Sequence, residues 1–312
     1  MNKTTKIALN YSLGILITAL LLWSLYRQVS TQLKGMQGSW WPQGTTHWLI
    51  LALALLPVNL GIEAGKWRIL AGSATPLTFR QSLKSILGGI AFSIITPNRI
   101  GEYPGRILFL SRKNSTRLIS VSVLGGCSQL LTVLIFGVLG LIYYAVKFPA
   151  PLVFFLLAGC ILMAFAVGLF YWRFERWAPL LERIQWLRKF RMYGQMLGRF
   201  TVREQLVILG LALLRFTVFT LQYYLMLRWM GVNIPLPDGF LLCALFFWAM
   251  AVIPSIALAE LGIRGEVSIF LFHTFTANKL GLLTATFGLW AINLVIPAFI
   301  GSILLLRLKW VR

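Results

Sequence analysis

The residues of this sequence best suited to chemistry lie in two short turns between long apolar stretches. The first turn, residues 96–106, reads Thr-Pro-Asn-Arg-Ile-Gly-Glu-Tyr-Pro-Gly-Arg. Its arginines, Arg99 and Arg106, suit a phosphate group because the planar guanidinium donates hydrogen bonds in pairs. Glu102 lies four residues before Arg106 and is expected to hold that guanidinium in place. The first turn therefore predicts an anion site.

The second turn, residues 254–266, has a net negative charge where the first is positive. Its charged residues are Glu260, Arg264 and Glu266. A charge at the bilayer centre costs about 2.5–3.5 kcal/mol on insertion scales, so charges at that depth need partners or water. We expect Arg99 or Arg106 to pair with Glu260 or Glu266. The alternative is that both turns are ordinary interfacial loops.

Other residues complete the predicted site. Glu63 and Lys66 share a helix face three residues apart, which fits either a site or a capped inner end of a span. The predicted substrate-binding set is Glu63, Arg68, Asn98, Arg99, Glu102, Arg106, Glu260, Arg264 and Glu266. Proline and glycine shape the two turns, by breaking helices and by allowing close backbone approach. These positions are Pro97, Gly101, Gly105, Pro254, Gly262 and Gly265.

Composition indicates what kind of element must carry these turns. The chain has 312 residues, of which 58% are hydrophobic and 12% charged, and its mean hydropathy is +0.80. These values exclude a typical soluble enzyme and a disordered chain. The net charge of +21 does not indicate nucleic acid, because the basic residues lie between apolar stretches and no nucleic-acid-binding module is present. The three cysteines and two histidines have no metal-ligand spacing, so no metal or cofactor is expected.

Apolar stretches long enough to cross a bilayer predict an all-α integral membrane protein with six full spans. They lie at about 7–26, 48–70, 118–146, 150–172, 205–230 and 280–306. The first is too long for the core of a cleaved signal peptide. Regions 81–111 and 239–278 are each either one interrupted crossing or a re-entrant hairpin. Hairpins place most Lys and Arg on the N-terminal side, as the positive-inside rule requires, whereas single crossings divide them almost evenly. We therefore predict two hairpins, with both termini in the cytoplasm.

This order of spans and hairpins occurs twice in one membrane domain, residues 1–312. Each half, 1–148 and 149–312, contains three crossings, so the halves have opposite orientations and form an inverted repeat, as in many secondary transporters. A basic linker, 173–203, is expected to lie on the inner leaflet and bind anionic lipid, or to be an ordinary cytoplasmic loop. Arg215, Gln129, Gln222 and Asn293 lie within spans, where they line a cavity or bond helices together.

The two turns resemble the signature of the lysylphosphatidylglycerol synthase transmembrane family. The similar residues are the T-P-x-R-x-G-E-x-x-G-R run at 96–106, the P-x-x-x-x-x-E-L-G-x-R-G-E run at 254–266, and the Lys66-Trp67-Arg68 end of the second span. The resemblance covers roughly residues 7–306. It implies a lipid translocase of the bacterial cytoplasmic membrane. Full-length relatives also have a cytoplasmic synthase domain, and we expect this chain to be a stand-alone member without it, so lysyl transfer is not implied.

The sequence favours a translocase, or flippase, that moves a phosphate-bearing lipid by alternating access. Arg99 and Arg106 would bind the phosphate, and the glutamates would shape the site or bind a cationic group. One alternative is a non-transporting membrane partner or anchor of a lipid- or envelope-synthesis enzyme. The other is a membrane-embedded lipid transferase with Glu102 or Glu260 as general base. No ATP-binding loop or hydrolase motif is present, so we do not expect an enzyme.

Overall fold

The computed structural model describes residues 40–95, 101–107, 109–110, 115–172, 200–253 and 257–306. All the regular elements in these ranges are helices: α1 His47–Gly72, α2 Phe79–Ile95, α3 Glu102–Ile107, α4 Ser115–Lys147, α5 Pro151–Trp172, α6 Val202–Trp229, α7 Leu236–Val252, α8 Ala257–Phe272, α9 Lys279–Trp290 and α10 Ile296–Leu306. A π-helical segment, Ala291–Val295, joins α9 to α10.

Five predicted spans are confirmed as helices long and apolar enough to cross a membrane. They are His47–Gly72, Arg117–Lys147, Pro151–Trp172, Val202–Trp229 and Lys279–Leu304, the last formed by α9, the π-helical segment and α10. The predicted first span, 7–26, and linker residues 173–199 lie outside the described residues. Large apolar side chains on α5, such as Phe155 and Leu162, are mostly exposed, as expected for a face in contact with lipid.

The first predicted hairpin consists of α2 and the short helix α3, which folds back against it. The Ser85 hydroxyl on α2 donates a 2.6 Å hydrogen bond to the Arg106 carbonyl on α3. Gly105 packs so closely on α2 that an added Cβ would lie 2.8 Å from the Gly88 oxygen and 2.9 Å from the Gly89 Cα. Only glycine allows this approach of the two backbones.

The second predicted hairpin consists of α7 and α8. Asp238 near the start of α7 lies 3.2 Å from the Nζ of Lys147, the last residue of α4. Near the end of α8, the ring of Phe270 lies 6.3 Å from that of Tyr144, which is also at the end of α4. The start of α7 and the end of α8 therefore lie near the same end of α4, so the chain returns to the level at which it entered.

The first arm of each hairpin packs against the last helix of the other half. Gly301 of α10 contacts the Leu87 carbonyl of α2. In the same way, Gly140 of α4 is so close to α7 that a Cβ there would lie 3.1 Å from the Leu241 oxygen. The two halves also meet along α1 and α6, which are antiparallel: Gly44, just before α1, donates a 2.8 Å hydrogen bond to Trp229 at the end of α6.

Candidate functional site

A buried cluster of charged side chains lies where α1, α3 and α6 meet. Glu63 and Lys66 of α1 are each only 3% exposed, and Arg106 of α3 is 8% exposed. Glu63 forms ion pairs with all three neighbouring cations: its Oε1 accepts a 2.8 Å hydrogen bond from Arg106, and its Oε2 lies 2.9 Å from the Nζ of Lys66 and 3.1 Å from Arg215 of α6. One carboxylate thus holds together three helices from both halves of the chain.

Helical spacing puts the α1 residues on one face. Glu63, Lys66 and Trp67 are three and four residues apart, so their side chains project in the same direction. Trp67 is fully buried, and the Arg106 guanidinium lies over its ring, 5.2 Å from the centroid. The indole N–H donates to Ser85 at 2.9 Å, and Ser85 in turn donates to the Arg106 carbonyl. Trp67 therefore fixes both the side chain and the backbone of Arg106.

Glu102 provides the second carboxylate of Arg106. It forms an ion pair with Arg106 across one turn of α3, and its side chain is 30% exposed. This i, i+4 contact is the one expected from the sequence. Its position in the first turn of α3 also favours a negative charge, since the helix dipole is positive at that end.

The charged residues line a cavity of about 150 Å³. The other walls come from Leu70, Glu102 and Tyr103 and from one face of α4, where Ser122, Gly125, Gly126 and Gln129 recur at helical spacing. A dry apolar cavity of about 150 Å³ holds a molecule the size of benzene. The space between α1, α3, α4 and α6 therefore suits a small polar head group.

A chain of hydrogen bonds continues from this cluster into the middle of the membrane-crossing helices. Arg215 donates to the Asn59 side chain at 2.9 Å. Asn59 donates to Gln222 at 3.4 Å and to Asn293 at 3.2 Å, and Asn293 lies in the π-helical segment. At about 1.5 Å rise per residue, Asn59 is about 18 Å from the start of α1, so the network lies at depth. Buried polar groups there need such partners.

A second polar cluster lies between α6, α8 and α9 and consists of hydroxyl groups. Tyr223 is fully buried, and its hydroxyl bonds to Ser268 at 2.8 Å and to Thr286 at 2.7 Å. Arg264 lies one turn before Ser268 on α8 and is partly buried. These contacts join three helices of the second half.

The predicted site residues fall into four groups. Glu63, Glu102 and Arg106 come together at the cavity, while Gly101 and Gly105 are buried in and beside α3. Arg68 does not line the cavity; it is exposed and donates to the Leu77 carbonyl at 3.1 Å. On α8, Gly265 is buried, Gly262 and Arg264 are partly buried, and Glu266 is exposed. Outside the described residues or side chains are Pro97, Asn98, Arg99, Pro254 and Glu260.

Among the described side chains, Glu63 and Glu102 form ion pairs with Arg106. The contact with Glu102 was expected, whereas the contact with Glu63 was not; it arises because α3 folds back toward α1. The expected pairing of Arg99 or Arg106 with Glu260 or Glu266 stays a prediction, because Arg99 and the Glu260 side chain lie outside the described residues.

The sequence left Lys66, Arg215 and Gln129 open between a place in the site and a structural role, and the structure places all three at the cavity. The sequence did not single out Asn59 or Ser122. The signal for Asn59 was available, because it is a lone amide at the centre of an apolar span.

Comparison with known proteins gives one match. The family described as the lysylphosphatidylglycerol synthase TM region matches residues 11–301, which include both hairpins and the charged cluster. No curated protein and no solved structure matches the chain. Because the match extends over almost the entire sequence, the chain belongs to the lysylphosphatidylglycerol synthase transmembrane family.

Proposed function

We propose that this protein is a lipid translocase that moves a phosphate-bearing lipid across the cytoplasmic membrane by alternating access, with both termini in the cytoplasm. The observation that carries the proposal is the cavity in which Lys66, Arg106 and Arg215 surround one carboxylate. Membership of a family of lipid-synthase membrane regions supports a role in lipid handling. The protein acts without chemical change of the lipid and is not an enzyme.

The arrangement of the helices supports alternating access. In an inverted repeat, each half makes the same contacts with the other, and the first arm of each hairpin here packs on the last helix of the opposite half. The cavity lies at this junction, since α1, α3 and α4 come from the first half and Arg215 from the second. Rocking one half against the other would open the cavity to each leaflet in turn.

The position of the charges supports a phosphate as the group that is bound. Charged side chains buried among membrane-crossing helices are costly and mark substrate or ion pathways. Arginine donates to phosphate through two parallel N–H groups, and lysine binds it as a compact charge. The acyl chains would stay in the bilayer while the head group passes through the cavity.

Leaflet exchange in reconstituted vesicles tests this proposal. The full chain is incorporated into vesicles with acyl-labelled phosphatidylglycerol, and label in the outer leaflet is quenched chemically over time. We expect wild-type protein to exchange the label well above protein-free vesicles, and Arg106→Ala to lose most of this activity. Arg203→Gln removes an exposed positive charge outside the cavity and serves as the matched control. Exchange by Arg106→Ala equal to that of wild type would refute the proposal.

Mass spectrometry of the same vesicles tests whether the lipid changes chemically. We expect its mass to be the same before and after exchange. A modified lipid that depends on the protein would instead favour the transferase alternative.

A further inference from the structure

We infer that the cavity selects lipids whose head group is net anionic, with a phosphodiester and no compensating ammonium group, and that Glu63 is an internal anion which the lipid phosphate displaces from its cations. The inference rests on the proposed function and names the substrate class of the same site. It distinguishes an anionic glycerol-type phospholipid from a zwitterionic or aminoacylated one.

The charge balance of the cavity carries the inference. Three of its described lining residues are cationic: Lys66, Arg106 and Arg215. Two are acidic: Glu63 and Glu102. The described lining therefore has one positive charge in excess. In a site surrounded by apolar helices this charge is poorly solvated, and a ligand with one negative charge neutralises it.

The three cations of the cavity also have N–H groups that their described contacts do not use. A lysine ammonium has three N–H donors, and the described contact of Lys66 is with Glu63 alone. The buried Nε of Arg106 has no hydrogen-bond acceptor among the described residues. Arg215 uses its Nε for Asn59 and one terminal nitrogen for Glu63, which leaves further N–H groups. A phosphodiester provides two unesterified oxygens that accept from such groups.

Glu63 occupies the position that a phosphate would compete for. Its two oxygens face all three cations at distances of 2.8–3.1 Å. In the lipid-free cavity it compensates one of their three positive charges. When a phosphate binds, the cations exchange part of their contact with Glu63 for contact with the ligand, and the lipid leaves again when Glu63 re-forms its ion pairs. Such competition keeps binding reversible, which a translocase requires.

One neutral group in the cavity suits a hydroxylated head group. The Gln129 side-chain oxygen lines the cavity, is buried, and has no hydrogen-bond donor among the described residues. It can accept from a hydroxyl of a glycerol head group. An ammonium group could also satisfy this oxygen, but it would add a positive charge beside Arg106 and Lys66, and like charges at this distance repel strongly in a low-dielectric site.

Binding to the full chain in a neutral detergent tests the inference. Acyl-labelled phosphatidylglycerol, phosphatidylethanolamine and aminoacylated phosphatidylglycerol are titrated and followed by fluorescence polarisation, with soluble glycerol phosphate as a competitor. We expect phosphatidylglycerol to bind about tenfold tighter than phosphatidylethanolamine. The aminoacylated lipid, used as its lysyl ester with two ammonium groups, should bind weakest, because each ammonium adds one charge to a cationic site. Glycerol phosphate should compete poorly, since it lacks the acyl chains.

Substitutions assign this preference to the cavity. Arg215→Gln removes the excess charge while its amide can still bond Asn59, so the ratio of phosphatidylglycerol to phosphatidylethanolamine affinity should fall to about one. Arg203→Gln, which loses an exposed charge, should keep the wild-type ratio. Glu63→Gln should bind phosphatidylglycerol more tightly and release it more slowly. Gln129→Leu should weaken phosphatidylglycerol binding about two- to tenfold.

The outcomes separate this inference from the proposed function. Equal affinity of the protein for the three lipids overturns the inference. So does a ratio of phosphatidylglycerol to phosphatidylethanolamine affinity in Arg215→Gln that equals the wild-type ratio. In either case, leaflet exchange would still support a translocase. If glycerol phosphate displaces the labelled lipid at a concentration equal to that of the lipid, the inference is also overturned, because the site would then bind a water-soluble phosphate ester. Failure of every lipid to bind overturns both.

Discussion

The charged cluster around Glu63 and the hydroxyl cluster around Tyr223 both bond neighbouring helices together, but they do so with different chemical groups. In the first half, ion pairs centred on Glu63 join α1 and α3 to α6. In the second half, the Tyr223 hydroxyl joins α6 to α8 and α9 through Ser268 and Thr286. Hydroxyl groups are enough to bond helices inside a membrane, at modest cost. The charges of the first cluster are more expensive than helix packing requires, and this difference supports the proposal that they bind a ligand.

The largest effect should follow removal of the central carboxylate. Glu63→Leu leaves Lys66 and Arg106 buried without their shared partner, and breaking a buried ion pair costs about 3–5 kcal/mol. We expect a large fall in the thermal unfolding midpoint in detergent, together with loss of lipid exchange. If Glu63→Leu were no more destabilising than substitution of Tyr223 in the hydroxyl cluster, the ion pairs would not be the main contacts between these helices.

A smaller loss of stability should follow a change in the packing of α3 on α2 in the first hairpin. Gly105→Ala places a Cβ within 3 Å of the α2 backbone, which overpacks the contact and should cost about 1–3 kcal/mol. It should also shift Arg106 and reduce exchange. The matched control is Gly159→Ala on α5, where a Cβ meets no atom within 4 Å and alanine is the better helix former. Thermal unfolding of both variants checks this, and equal stability would mean that α3 does not pack closely on α2.

The hydroxyl cluster provides the test of a purely structural role. Tyr223→Phe removes the hydroxyl from two hydrogen bonds and should cost about 1 kcal/mol. We expect leaflet exchange and lipid selectivity to stay at wild-type levels, because the substitution leaves the cavity unchanged. A loss of exchange comparable to that of Arg106→Ala would instead make the second cluster part of the translocation pathway.

The sequence was most informative about the crossings. Length and apolarity gave five described spans within a few residues, because a segment of about 20 apolar residues has few other stable environments. Charge placement predicted that regions 81–111 and 239–278 return rather than cross, and α3 does fold back on α2. The Glu102–Arg106 contact was also predicted, since it depends only on helical spacing within one element.

The contacts between elements could not be obtained in the same way. The contact of Arg106 with Glu63 was not expected. Glu63 is reached because glycines at 88, 89 and 105 let α3 lie close to α2 and turn its arginine toward α1. Arg215 was recognised as unusual, yet its meeting with Glu63 depends on how α1 and α6 are aligned. Periodicity gives the face of a helix but not the helix that covers it.

The smallest effect on stability is expected for Arg68, which the sequence pattern groups with Lys66. Lys66 and Arg68 flank Trp67, but Lys66 lines the cavity whereas Arg68 is exposed and bonds the Leu77 carbonyl in the α1–α2 connection. Arg68→Gln should therefore cost about 0.5–1 kcal/mol in stability, one exposed hydrogen bond, and leave phosphatidylglycerol affinity unchanged. Lys66→Gln should weaken that affinity about tenfold, since it removes a charge that faces the head group. Equal loss of affinity in the two variants would mean that lipid recognition depends on the basic end of α1 as a surface, and not on which side chains reach the cavity.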